Sequence, residues 1–144
     1  MNDPRTAIVW FRNDLRTRDN EALAQAARDY DELIPLYCFD PRHFGTTPYG
    51  FPKTGAYRAE FLIESVQNLR LNLRKLGADL IVRHDKPEQC IPELAEAFQA
   101  DALFYQKEVT DEEVRVEQAV ARALNSRISI HDVWGHTLAY IDDI

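Results

Sequence analysis

The 144 residues carry 24 acidic and 17 basic side chains, a net charge of −7, with 45 % hydrophobic and 28 % charged residues. That balance suits one soluble globular domain with a core of its own. It excludes a chain that grips a phosphate backbone unaided, because its field repels polyanions at long range.

No stretch approaches the ~18 consecutive apolar residues that a membrane span needs. The opening MNDPRTAIVWF lacks the basic and long apolar regions of a secretory signal. Cys38 and Cys90 make neither a disulfide framework nor a metal-binding spacing. They read as small buried hydrophobes, one in a strand and one in a helix, in a reducing, cytoplasmic setting.

In chain order, residues 7–11 (AIVWF) form a short continuous apolar run, the pattern of a strand buried on both faces. Asp19 and Asn20 cap a helix over 21–28. Residues 33–39 (LIPLYCF) make a second strand, with Pro35 expected near its start because proline cannot donate within a central ladder. Tyr57, Phe61, Leu62, Val66, Leu69, Leu73 and Leu76 recur at helical spacing after a Thr54 cap, and Gly77 closes that helix. Residues 80–83 form a third strand. Pro87 opens a helix to about residue 100, and 102–105 form a fourth strand. Thr110 and Glu113 make a capping box for a helix to about residue 124. The alternating stretch 127–133 is a fifth strand nearer an edge. Strands alternating with helices predict an α/β fold, a doubly wound, Rossmann-like, five-stranded parallel sheet of order 3-2-1-4-5 with helices on both faces.

Several chemistries are set aside. Residues 45–55 (GTTPYGFPKTG) echo a phosphate-binding loop, but Phe51 and Pro52 separate Gly50 from Lys53, and Pro52 has no N–H to offer. They read as a loop leading into the long helix. The turn after strand one is RNDLR, without the glycines a dinucleotide diphosphate needs. His43, His84, His131 and His136 show no zinc-binding pair. The His131–His136 spacing echoes a nucleotidyltransferase signature only faintly, and a structural role fits it better. No nucleophile elbow is present.

In such a sheet, ligands sit outside the carboxyl ends of the strands, where the strand order reverses. The crevice then lies between strands one and four. It nominates Arg12, Asn13 and Asp14 at one exit and Gln106, Lys107 and Glu108 at the other, with Phe39 and Asp40 delivered nearby. Arg12, Asp14 and Arg16 have a plainer alternative: to pair with one another and cap the next helix. Phe39 is equally suited to stacking on a ligand or to the core.

IVWFRNDLRTRDNEAL, CFDPRHFG, GFPKTGAYRAEFLIESVQNLRLNLRKLGADLIVR and EVTDEE, read together, closely resemble the photolyase and cryptochrome family, in its DASH branch. The resemblance runs from Ala7 to Ile144. It implies an α/β domain over residues 1–134 that holds a light-harvesting antenna, commonly methenyltetrahydrofolate. Residues 135–144 would begin the linker to a large helical domain, absent here, which binds FAD and carries out photochemistry such as repair of pyrimidine dimers. The chain itself would then not be catalytic, would meet DNA only through its parent, and would have that helical domain as its partner. Glu108 matches the acidic residue that holds the pterin ring, whose amine and ring N–H suit a carboxylate. The resemblance implies scaffolding for Arg12, Asn13 and Asp14, backbone contacts from Gln106 and Lys107, and a lining role for Phe39 and Asp40. It also implies weak folate binding by the isolated domain, since some contacts come from the helical one. Two other readings stay open: a structural docking domain without a chromophore, and a stand-alone nucleotide-sensing module.

Overall fold

The computed structural model describes residues 4–44 and 55–134. The elements are β1 (Thr6–Phe11), α1 (Glu21–Asp29), β2 (Glu32–Cys38), a 3-10 turn (Pro41–Phe44), α2 (Ala56–Lys75), β3 (Ile81–Arg83), α3 (Pro87–Ala97), β4 (Ala102–Gln106), α4 (Asp111–Leu124) and β5 (Ser129–Val133). They build one parallel sheet of order β3-β2-β1-β4-β5.

β1 lies at the centre because all six of its residues are apolar or satisfied and buried. Its alternation feeds two layers. Ile8 and Trp10, with Leu36, Leu103 and Tyr105, face α3 and α4 through Cys90, Ile91, Leu94, Val120 and Leu124. Ala7, Val9 and Phe11, with Phe104, face α1 and α2 through Ala22, Ala26, Val66, Leu69 and Leu73. This is the doubly wound arrangement, with helices on both faces.

Helix ends follow local chemistry. Asn20 caps α1, its side chain accepting from the Leu23 N–H at 3.0 Å. Gly77, at φ +86°, ends α2. Ala78 N–H bonds the Leu73 carbonyl and Gly77 N–H the Arg74 carbonyl, a paired closure that favours glycine at that position.

The structure departs from the sequence reading in four places. Pro35 sits within β2 rather than at its start; β3 begins opposite Leu36, so the ladder on that side does not reach Pro35. α3 stops at Ala97 because Gln99 takes a left-handed conformation (φ +51°), and Ala100 N–H closes onto the Ala95 carbonyl. α2 is capped at Gly55 and gains no side-chain capping bond, while Thr54 lies outside the described residues. Along α2, Leu62 packs partly, whereas Tyr57, Phe61 and Leu76 are 90 %, 69 % and 69 % exposed. Tyr57 and Phe61 lie more than about 100° around the helix from the buried stripe, and Leu76 follows the last turn. The loop over 45–54, His136 and the proposed linker over 135–144 also fall outside the described residues.

Leu69 is fully buried in the layer beneath α2. Leu69→Ala is expected to lower unfolding free energy by about 2–5 kcal/mol, read by urea denaturation, because it removes apolar contacts and leaves a cavity.

Candidate functional site at the strand exits

The exit of β1 is mostly scaffolding. Asp14, buried, accepts from the Arg12 backbone N–H at 2.9 Å and from Asn20 Nδ2 at 3.0 Å, locking the turn to the α1 cap. The Arg12 side chain folds back over the sheet end. Its guanidinium carbon lies 4.6 Å from the Trp10 ring centre and 5.9 Å from that of Tyr105. Nη1 meets Glu117 Oε2 at 2.5 Å, and Nη2 donates to the Glu113 carbonyl at 3.1 Å. Both side chains of the pair are only 7 % exposed. Such a pair survives burial only with good geometry and further hydrogen bonds, and the aromatic faces add cation–π attraction. Arg12 therefore serves as a strut. Asn13 donates to the Glu113 carboxylate at 2.8 Å, which also accepts from the Thr110 hydroxyl at 2.7 Å.

Glu117 reaches the second exit as well. Its Oε2 accepts from the Glu108 backbone N–H at 2.9 Å. One carboxylate on α4 thus fastens the ends of β1 and β4, the two strands that flank the reversal of strand order. Gln106 is buried at the end of β4, in register with Val133. Lys107 donates its N–H to the Val133 carbonyl at 2.7 Å, and its ammonium lies 3.9 Å from Asp132 on the rim. Glu108 follows with 3 % exposure, so its carboxylate is closed to bulk solvent.

At the exit of β2, Phe39 and Asp40 part ways. Phe39 joins the layer beneath α1 and α2, edge-on to Tyr37 at 4.9 Å and stacked on His84 at 5.0 Å. Asp40 is buried and gripped by Arg42 through Nε at 2.9 Å and Nη2 at 2.6 Å, with the Arg42 N–H adding a bond at 3.0 Å. Burial pushes the Asp40 carboxyl upward, but the Arg42 hydrogen bonds and charge outweigh it and hold it below the ordinary carboxylate value. Arg42 Nη2 also lies 2.7 Å from Glu88 Oε1. Asp40, Arg42 and Glu88 line a polar recess of about 150 Å³ with Glu112, Arg115 and Val116 of α4. A larger recess of about 670 Å³ lies between α1 and α2, walled by Leu23, Ala27, Leu33, Pro35 and Leu73. Thr17, Asp19, Asn20 and Glu21, between β1 and the first turn of α1, complete its wall.

Sequence reasoning named the exits and missed the residues that organise them. Glu117 stands mid-helix, where a glutamate usually marks a solvated face; only its spacing four residues after Glu113 was available as a signal. Arg42 stood two residues beyond Asp40, in plain view but unassigned. Among the described residues, no cluster of three His, Cys, Asp or Glu side chains is placed to hold a metal ion.

A parallel five-stranded sheet of order β3-β2-β1-β4-β5, with helices on both faces and charged strand exits, defines a doubly wound α/β domain. Residues 7–144 match the family described as DNA photolyase, and the chain belongs to that family. It is 46 % identical to cryptochrome DASH, chloroplastic/mitochondrial, of Solanum lycopersicum, over 96 % of this chain and 27 % of that protein. Its fold is similar to the Synechocystis cryptochrome, with a TM-score of 0.92 and 42 % identity, covering 99 % of this chain and 30 % of that one. An archaeal photolyase from Sulfolobus tokodaii, described as holding two FAD molecules with the implication of a novel light-harvesting cofactor, gives a TM-score of 0.83 at 25 % identity, covering 94 % and 30 %. The chain spans under a third of the length of these relatives.

Arg12→Met and Glu117→Leu are each expected to cost about 3–5 kcal/mol, since each leaves a buried charge unpaired. The double variant should cost less than the sum, read as a coupling in urea denaturation. Asp40 gives a pH signature. Its folded carboxyl is depressed, so its stabilising contribution is complete above the unfolded value near ~3.9 and is lost as pH falls through the folded value. Asp40→Asn should therefore flatten the acid limb of stability against pH below about pH 4, measured by urea midpoints at stepped pH.

Proposed function

We propose that residues 1–134 form the light-harvesting antenna domain of a cryptochrome DASH or photolyase, and that 135–144 lead into a helical FAD domain. The chromophore we assign is a reduced folate, methenyltetrahydrofolate, which when bound supplies near-ultraviolet or blue absorption and passes excitation to FAD in that second domain. The downstream outcome is pyrimidine-dimer repair or blue-light sensing, DNA being met by the parent alone. The setting we assign is the cytoplasm, although the tomato relative's name places that protein in organelles.

The observation that carries the reading is Glu108, a buried carboxylate whose backbone is pinned by Glu117 at the exit of β4. Its chemistry fits a pterin edge: one carboxylate accepts from two adjacent N–H groups. Glu108 orients the heterocycle, Gln106 and Lys107 offer groups beside it, and Arg12 keeps the exit in shape without touching ligand. Asp40 and Phe39 shape the neighbouring β2 exit. No bond is made or broken by these residues; they bind, orient and exclude water.

A second reading, a docking domain without a chromophore, is favoured by that same burial of Glu108 and by the exposed Tyr57 and Phe61 on α2. Titration with methenyltetrahydrofolate separates the two. The antenna reading expects a shifted near-ultraviolet band, lost in Glu108→Gln with at least about tenfold weaker binding, as one or two charge-assisted hydrogen bonds imply. A folded chain whose addition leaves the band unmoved supports the docking reading instead.

A further inference from the structure

Cys38 ends β2 and Cys90 lies in the first turns of α3, 52 residues apart in sequence. The fold brings their sulfurs to 2.8 Å, within a buried layer, with the two residues 8 % and 2 % exposed. The fold thus sets the two side chains in direct contact, sulfur beside sulfur. Both are free thiols here. Each sits two residues from a wall of the polar recess, Cys38 from Asp40 and Cys90 from Glu88.

We propose that Cys38 and Cys90 are a reversible oxidation site, closing to an intramolecular disulfide that ties the exit of β2 to α3 when a small peroxide reaches them.

The two sulfurs are not equivalent. Hydrogen bonding to Cys90 pushes Cys38 up, with burial and the charges of Asp40 and Asp85 adding to it. Cys90 is drawn down by its hydrogen bond with Cys38, against burial and the Asp85 charge and with a small contribution from Arg83. Its position in the first turn of α3 makes Cys90 the attacking sulfur. Its thiolate takes one oxygen of hydrogen peroxide, forming a Cys90 sulfenic acid and releasing hydroxide, which takes up a proton to become water. Cys38 then attacks Cys90 Sγ, the S–O bond breaks, and the oxygen leaves as a second water with the Cys38 proton. Two thiols and one peroxide yield one disulfide and two waters. A dithiol reductant reverses the closure by exchange.

The experiment treats the folded chain with hydrogen peroxide, unfolds it in N-ethylmaleimide, and measures intact mass. The expected product is a monomer two hydrogens lighter that takes up no maleimide. Dithiothreitol should restore a chain that takes up two. Cys38→Ser should leave Cys90 as a sulfenic acid trapped by dimedone, whereas Cys90→Ser should give no dimedone adduct under the same exposure. Folded wild-type chain that keeps two alkylatable thiols, or oxidises only to intermolecular dimers, would overturn the proposal. The wild-type arm stands even if a serine variant folds poorly.

Discussion

The contact on which this domain turns is the carboxylate of Glu117. Projecting from α4, it neutralises Arg12 at the exit of β1 and accepts the Glu108 N–H at the exit of β4. These two strands are neighbours paired as far as Trp10 and Tyr105, and past that point each is held by its other neighbour, Phe11 beside Tyr37 and Gln106 beside Val133. A single charged group links the two exits. Its cost in desolvation is met by the guanidinium and by the amide, while the Trp10 and Tyr105 rings hold the Arg12 guanidinium. The burial has a second effect. Tyr105, enclosed near Glu117, has its phenol pushed up by burial first and by the neighbouring carboxylate next, so it stays neutral and serves as packing.

This arrangement separates two jobs that strand exits commonly share. Arg12, Asp14, Asn20 and Glu117 hold shape, and their hydrogen-bonding capacity is largely spent within the domain. Asp40 and Arg42 do the same at the exit of β2. Glu108 follows at the exit of β4, buried and with its backbone N–H held by Glu117. The chain spans under a third of its relatives, and the exposed aromatics Tyr57 and Phe61 show that its α2 face is unlike a finished core.

The fold was legible because its signals are local and periodic. AIVWF can hardly be anything but a strand buried on both faces, and the alternating order of strands and helices leaves little choice of topology. Boundaries set by backbone conformation were harder to read. Gln99 ends α3 in a left-handed turn that a glycine would have announced. The stripe on α2 was read too wide, because aromatic residues at helical spacing do not say which side of the helix meets the sheet. At the strand exits, topology and family resemblance nominated Glu108 and Arg12. Glu117 was not nominated, since a lone glutamate on an amphipathic helix looks like every solvated one. The meeting of Cys38 and Cys90 was equally hidden, because contact across 52 residues is a property of the fold alone.

In the proposed antenna site, Glu117 positions Glu108 for a ligand that Glu117 itself does not touch. Methenyltetrahydrofolate affinity of Glu117→Gln, measured on protein whose far-ultraviolet dichroism matches the parent chain, tests this most directly. The expected affinity is at least about tenfold weaker, because a neutral amide neither balances Arg12 nor holds the Glu108 N–H as firmly. Undiminished affinity in that folded variant would contradict this positioning role.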